Sequence, residues 1–328
     1  MSVRVLTYDD VERLLPMGEC VDLMHEALAS LARGEGYQPL RSIVFPPESG
    51  GGIGLMPAWR GGERPTYALK AINVVPDNPR VRGLDTHQGA VLVSNGVTGE
   101  LEGVLNAAAI TEIRTAAVSG AATRALARDD ARMLGVLGAG AQARGHLRAM
   151  AAARPFEHAR IWGRDPEQAR GLADSMELPF PVEVVAHAED AVRGADVVVT
   201  ATAAREPIVQ REWFADGAHI NAVGSSIPTT RELDGATVAA ASLFVDRRES
   251  TVNEAGDYLL AVQEGAIAGP DHIAAELGEV FAGTHPGRTS QDEITLFKSL
   301  GIAMEDLAAG EYVLRKAREQ GVGSEVPF

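Results

Sequence analysis

Apolar residues recur at Cys20, Leu23, Met24, Ala27, Leu28 and Leu31, the three-and-four spacing of a single helix face. Upstream, Thr7 is followed three residues later by Asp10 in a capping-box pattern, so the chain is expected to open with amphipathic helices. From about residue 41 the texture changes to short β-rich runs at 42–45, 53–56, 67–75, 89–93 and 102–105, separated by Gly, Pro and Asn turns. That succession predicts an antiparallel meander. Residues 111–128 are Ala-rich and helix-forming, and they place a domain boundary near 125–130. Beyond Ala131, strands and helices alternate, with strands expected at 133–137, 159–162, 182–185, 197–200, 219–223 and 243–245. This is the rhythm of a parallel sheet. After about residue 295 the pattern predicts helix to the end, chiefly over 297–317, and such a terminal helix often packs back on the first domain.

With 328 residues the chain exceeds the usual size of one hydrophobic core, which favours two domains. Its composition, 45% apolar and 23% charged, is that of an ordinary globular protein. The net charge of −15 repels polyphosphate backbones and anionic bilayers, so neither nucleic acid nor membrane is an expected partner. Cys20 is the only cysteine, which excludes an intrachain disulfide and a cysteine-rich zinc site. No metal site is expected. The first ten residues lack a basic start and an apolar run, and no stretch of about 18 uncharged apolar residues occurs, so a cytoplasmic location is expected.

The run 133–137 reads as a buried strand and leads into Gly138-Ala139-Gly140-Ala141-Gln142-Ala143 and a helix-compatible segment. This strand, GxGxxA, helix sequence fits dinucleotide binding. The first glycine makes the tight turn, Gly140 lets the backbone approach a pyrophosphate, Ala143 allows close helix packing, and the helix N-terminus attracts the anion. The second strand ends in Trp162-Gly163-Arg164-Asp165. A guanidinium at that tip suits a 2′-phosphate and favours NADP(H), whereas Asp165 keeps NAD(H) open. Thr200-Ala201-Thr202 closes the fourth strand, either touching the ribose or nicotinamide side or serving as a plain polar strand end.

Three cations precede this half in apolar settings: Arg41 before Ser-Ile-Val-Phe, Lys70 within Tyr-Ala-Leu-Lys-Ala-Ile-Asn-Val, and Arg114 within Ile-Thr-Glu-Ile-Arg-Thr-Ala-Ala. Interiors rarely hide unpaired cations, so the three are candidates to clamp a carboxylate, and each taken singly also reads as an exposed or salt-bridged residue.

Several strings in order resemble the ornithine cyclodeaminase/mu-crystallin family over nearly the whole length: Lys70-Ala-Ile-Asn73, Thr86-His87-Gln88, Ile113-Arg114-Thr115-Ala116-Ala117, Gly138 to Ala143, His219-Ile-Asn-Ala-Val223-Gly224 and Phe297-Lys298-Ser-Leu-Gly301. The resemblance implies an α/β chain. Its Rossmann domain, a doubly wound parallel sheet over residues 128–302, stands beside an α+β substrate-binding and dimerisation domain formed by 1–127 with 303–328. It also implies a homodimer joined through sheet edges, and a substrate carboxylate bound by Arg41, Lys70 and Arg114. Thr86, Asn73 and Ser226 join the substrate side, and Thr115, Val223, Gly224 and Lys298 the cofactor side. Lys298 is placed near a helix start, from which it reaches the cofactor or lies on the surface.

Cyclodeaminases of the family carry an acid just after the fifth strand, where this chain has Gly224-Ser225-Ser226-Ile227-Pro228. Ser226 stands in the acid's place, as in the reductase members that the chain resembles. A serine hydroxyl is a poor general base for ring closure. The expected reaction is therefore NAD(P)H-dependent reduction of a small imino acid at its α-carbon, or the reverse dehydrogenation, with Lys70, His87 or a water on Ser226 as proton donor. Asn73 is expected to orient Lys70 or the nicotinamide amide, and Asp234, Asp246 and Glu254 are further acids near the site edge, expected to be solvated. Ornithine cyclodeamination and non-catalytic NADPH binding remain as alternatives.

Overall fold

A computed structural model describes residues 2–328. The chain divides into two compact units, Met1–Arg114 with Ile302–Phe328, and Thr115–Gly301. The division falls inside the helix Ala107–Leu126 rather than after it, where residue 127 was expected. The cause is polar. Ser119 bonds His146, and Thr123 accepts from Asn221 Nδ2 at 2.9 Å and lies within hydrogen-bond reach of Met150, so the second half of this helix belongs to the dinucleotide-type unit.

The first unit is built on a sheet ordered Ser324–Pro327, Ser2–Leu6, Leu101–Asn106, His87–Asn95, Thr66–Val74, Gly52–Arg60 and Gly36–Tyr37, with Ser42–Val44 also paired to Gly52–Arg60. The meander expected from 42 to 105 is present as antiparallel neighbours. Strand Ser2–Leu6 was not anticipated. It joins Leu101–Asn106 in parallel, and its five residues, with Val3 and Leu6 buried, are too short a run to announce themselves. The Thr7–Asp10 capping box forms as expected and starts helix Tyr8–Leu14. Helices Met17–Ala32 and Ala303–Gln320 bury Met24, Leu28, Leu307, Val313 and Leu314.

The second unit holds a sheet of parallel strands ordered Val182–Val184, His158–Trp162, Met133–Leu137, Val197–Thr200, His219–Ala222, Thr295–Lys298, Ser242–Val245 and Ile273–Glu276. Residues 297–317, expected to be helical, are split. Thr295–Lys298 is a fully buried central strand between His219–Ala222 and Ser242–Val245, and the helix begins only at Ala303. A four-residue strand, Thr-Leu-Phe-Lys, is too short to show a period that separates strand from helix, and Gly301 at φ +74 makes the break. Among the described residues no helix is long and apolar enough to cross a membrane.

Candidate active-site residues

In the second unit the first glycine of the motif is forced. Gly138 has φ +127, and a Cβ there would meet the Ala201 carbonyl at 2.4 Å. Its N–H donates to Trp162 O, and the Ala201 N–H donates to Leu137 O, both at 2.8 Å, so the loop is tied to the tips of both neighbouring strands. Gly140 then caps helix Ala141–Ala153 with no side-chain hydrogen bond, and a Cβ there would meet nothing within 4 Å. Unsatisfied N–H groups thus start this helix beside open space, which suits a pyrophosphate. Ala141 is exposed, Gln142 half-buried, and Ala143 buried where close packing requires a small residue.

His146 anchors the same helix. Its Nδ1 lies 2.7 Å from Gln142 O and its Nε2 3.0 Å from Ser119 Oγ, and burial pulls its pKa down to about 4, which leaves it neutral. At the second strand tip Gly163 is buried, and a Cβ there would sit 3.0 Å from Ala139 Cβ. Arg164 and Asp165 are exposed. Asp165, however, is the N-cap of helix Pro166–Ser175, accepting from the N–H groups of Glu167 at 3.0 Å and Gln168 at 3.4 Å. Its carboxylate is partly committed, whereas Arg164 extends from the same tip.

The ends of strands Val197–Thr200 and His219–Ala222 meet on an acid that sequence reasoning overlooked. Glu232, fully buried, accepts from Thr200 Oγ1 at 2.7 Å, Thr202 N at 2.6 Å, Thr202 Oγ1 at 2.8 Å and Gly224 N at 2.7 Å. Burial and nearby Asp257 push its carboxyl up, against the pull of Lys298 and the threonine donors. Asp257 accepts from the N–H groups of Glu232 at 2.8 Å and Leu233 at 3.0 Å and pairs with Lys298 at 3.0 Å. Lys298 also donates to Ala222 O at 3.2 Å. It is therefore neither near a helix start nor on the surface: it ends a buried strand, and its charge is spent on Asp257. Ala201, Thr202 and Gly224 are half-buried, and Val223 is buried with its N–H on Thr200 O. Ser226 is half-buried in the loop that follows.

The acids expected at the site edge have different work. Asp234 caps helix Gly235–Ala240. Asp246 is buried rather than solvated, because its Oδ2 takes the N–H groups of Leu300 at 2.6 Å and Gly301 at 2.7 Å. Glu254, half-buried, ends helix Arg248–Glu254. Thr115, buried, accepts from Ser119 Oγ through its carbonyl at 3.4 Å.

In the first unit Lys70 and Arg114 are brought together by one acid. Lys70 Nζ lies 2.9 and 2.8 Å from the two oxygens of Asp306, Arg114 Nε donates to Asp306 Oδ1 at 2.9 Å, and Arg114 Nη1 to Glu305 Oε2 at 2.6 Å. All four groups are buried. The sequence showed the cations but not their partners, because two acids in the first turn of a terminal helix look like ordinary dipole-favoured residues.

Burial and the Arg114 charge pull Lys70 down to about 8, and Asp306 opposes them. His87 pairs with Val74 in the ladder, which puts it on the same sheet face as Lys70. Burial, Lys70 and Arg114 lower its pKa in turn. Arg41, half-buried, directly precedes Ser42, whose partner Leu55 adjoins Met56, the partner of Lys70. Asn73 is exposed and pairs Ile53 and Gln88, so it lies on the opposite face from Lys70. Thr86 is half-buried, and its carbonyl accepts from Val75 N. Among the described residues no group of three or more His, Cys, Asp or Glu could hold a metal ion.

Comparison with known proteins adds kinship to this geometry. Residues 1–321 match the family described as ornithine cyclodeaminase/mu-crystallin. The chain is 36% identical over 328 residues to a Delta(1)-pyrroline-2-carboxylate reductase of Bacillus cereus, covering 99% of each chain. It is 38% identical over 293 residues to the ketimine reductase mu-crystallin of Mus musculus, covering 88% of this chain and 89% of that one. Among solved structures, the Thermococcus litoralis Delta(1)-pyrroline-2-carboxylate reductase in complex with NADH and L-proline superposes with a TM-score of 0.95 at 36% identity, covering 99% of this chain and all of the other.

Proposed function

The chain belongs to the ornithine cyclodeaminase/mu-crystallin family, and from that premise we propose that it is an NAD(P)H-dependent oxidoreductase that reduces the C=N bond of small imino acids, cyclic imine carboxylates included, or runs the reverse amino-acid dehydrogenation. One observation carries the choice of reductase over cyclodeaminase. Position 226 is Ser, and the acid in the same loop, Glu232, has both oxygens saturated by four donors and cannot serve as a base. The relatives compared above are named as Delta(1)-pyrroline-2-carboxylate reductases and a ketimine reductase, and one of them is solved with NADH and L-proline.

In this reading Arg41, Lys70 and Arg114 receive the substrate carboxylate. Asp306 and Glu305 keep the two buried cations in place without consuming every N–H that an ammonium and a guanidinium offer. Gly138, Gly140, Ala141, Gln142 and Ala143 receive the pyrophosphate. Thr115, Thr200, Ala201, Thr202, Val223 and Gly224 line the nicotinamide side, and Lys298 supports the strand tips from beneath. Gly163, Arg164 and Asp165 face the adenosine ribose. Since Asp165 is engaged as a helix cap and Arg164 is free to fork onto a phosphate, NADPH is preferred and NADH accepted.

When bound, the reduced nucleotide supplies the hydride. Clamping the carboxylate fixes the imine carbon for attack, worth several kcal/mol of positioning, on the order of a hundredfold or more in rate. Protonation of the imine nitrogen falls to Lys70. It holds its proton at neutral pH and, with a pKa near 8, gives it up readily, whereas His87 is neutral there. Thr86 bounds the substrate without a charge, and Asn73, on the sheet face opposite Lys70, takes no part.

The assembly proposed is a dimer of two copies. Ile43, Val44 and Tyr67 on the first unit's sheet, and Phe45 just after its strand, are 40%, 50%, 50% and 62% exposed. The test of activity is a panel of cyclic and linear imino acids with NADPH or NADH, run beside ornithine with NAD. Nucleotide oxidation on the imines supports the reading, and proline with ammonia from ornithine overturns it.

A further inference from the structure

We propose that Glu232 is a positioning residue that locks two strand tips, Thr200–Thr202 and Gly224, in the geometry that accepts the nicotinamide nucleotide, and that it does so through two carboxyl oxygens that both accept, which an amide cannot replace. The four donors divide evenly between the two carboxyl oxygens. Oε1 takes Thr202 N and Thr202 Oγ1, and Oε2 takes Thr200 Oγ1 and Gly224 N. Each oxygen therefore holds one backbone N–H, and a backbone N–H, unlike a hydroxyl, cannot rotate away. An amide at position 232 must point its NH2 at one of these two N–H groups whichever way it is flipped. A carboxyl group can accept on both sides, whereas an amide cannot.

The surroundings fix the position of this carboxyl group. The backbone of Glu232 and Leu233 hangs on Asp257, Asp257 is paired with Lys298, and Lys298 donates to Ala222 O at the base of the Gly224 tip. Position 224 has no spare room. A Cβ there would lie 2.0 Å from Thr202 O and 2.5 Å from Glu232 Oε1, so the two tips and the acid already touch. Removing one acceptor leaves a buried N–H without a partner, and the tip that carries it must move to find water.

This inference depends on the reading that these tips hold the nucleotide. The test is Glu232→Gln, with Thr200→Val as a milder second variant that removes one hydroxyl donor and no backbone contact. NADPH and NADH affinity is measured by quenching of protein fluorescence, amide exchange is followed at Thr202 and Gly224, and imine KM is read at saturating nucleotide. Expected are nucleotide binding about tenfold or more weaker in Glu232→Gln, a smaller loss in Thr200→Val, faster exchange at both amides, and an unchanged imine KM. A purely structural role would lower the melting temperature of both variants without this split. Wild-type affinity and unaltered exchange in Glu232→Gln overturn the clamp. If that variant does not fold, undiminished nucleotide affinity in Thr200→Val does so instead. Wild-type protein that binds neither nucleotide overturns the functional reading beneath it.

Discussion

Arg114 and Lys70 illustrate how a buried charge is tolerated: each is matched by an acid on helix Ala303–Gln320, so removing one partner strands another charge in the interior. Breaking such a pair costs about 3–5 kcal/mol. Arg114→Ala is therefore expected to lower stability by roughly 3 kcal/mol in chemical denaturation. In the folded fraction kcat/KM should fall about a hundredfold or more, because the carboxylate loses its bidentate partner. Unaltered kinetics would remove Arg114 from the site.

Lys70 predicts a pH dependence of definite sign. With its pKa lowered to about 8, it is charged below that value, so reductive turnover should hold at neutral pH and decline as pH rises through about 8. A Lys70→Gln variant should be slow at every pH and lack that limb. Stability runs the other way. Between about 8 and 10.5 the folded state binds fewer protons than the unfolded chain at this group, so its contribution to stability rises with pH across that window. Denaturation of wild type and Lys70→Met across that pH range would show the difference.

Among the elements, the loop 138–143 shows why its glycines are not interchangeable. Gly138→Ala meets both a left-handed backbone and the Ala201 carbonyl, so it should destabilise the protein and weaken nucleotide binding together, whereas Gly140→Ala should spare the fold and impair binding by filling the space before the helix. Melting temperature and nucleotide affinity measured on both variants separate the two effects. At the next tip, Arg164→Ser should weaken NADPH more than NADH, and equal losses would abolish the proposed preference.

The elements also show what a sequence discloses. The capping box at Thr7, the meander and the strand before Gly138 were legible because each carries a local signal: a cap spacing, turn residues, a buried run ending in glycines. Thr295–Lys298 was not, because a short strand completed on both sides by distant segments has no local period. Glu232, Asp257, Glu305 and Asp306 stayed hidden for a related reason. An acid is read as solvated until the fold brings its donors, and those donors lie far along the chain.

At the scale of the whole molecule, the first unit carries the clustered cations and the second the glycine-lined helix start, so a substrate carboxylate and a dinucleotide each find recognisable chemistry in a separate compact unit. A ligand that binds only the folded state raises its stability by about 2.7 kcal/mol at a hundredfold excess over Kd, so saturating NADPH should raise the melting temperature clearly. Imine reduction is tested by oxidation of NADPH by the purified protein in the presence of a cyclic imine carboxylate, with the amino-acid product identified. Equimolar loss of reduced nucleotide and formation of the saturated cyclic amino acid are expected, about a hundredfold or more slower in Arg114→Ala. No oxidation with any imino acid, accompanied by release of ammonia and proline from ornithine, would contradict it.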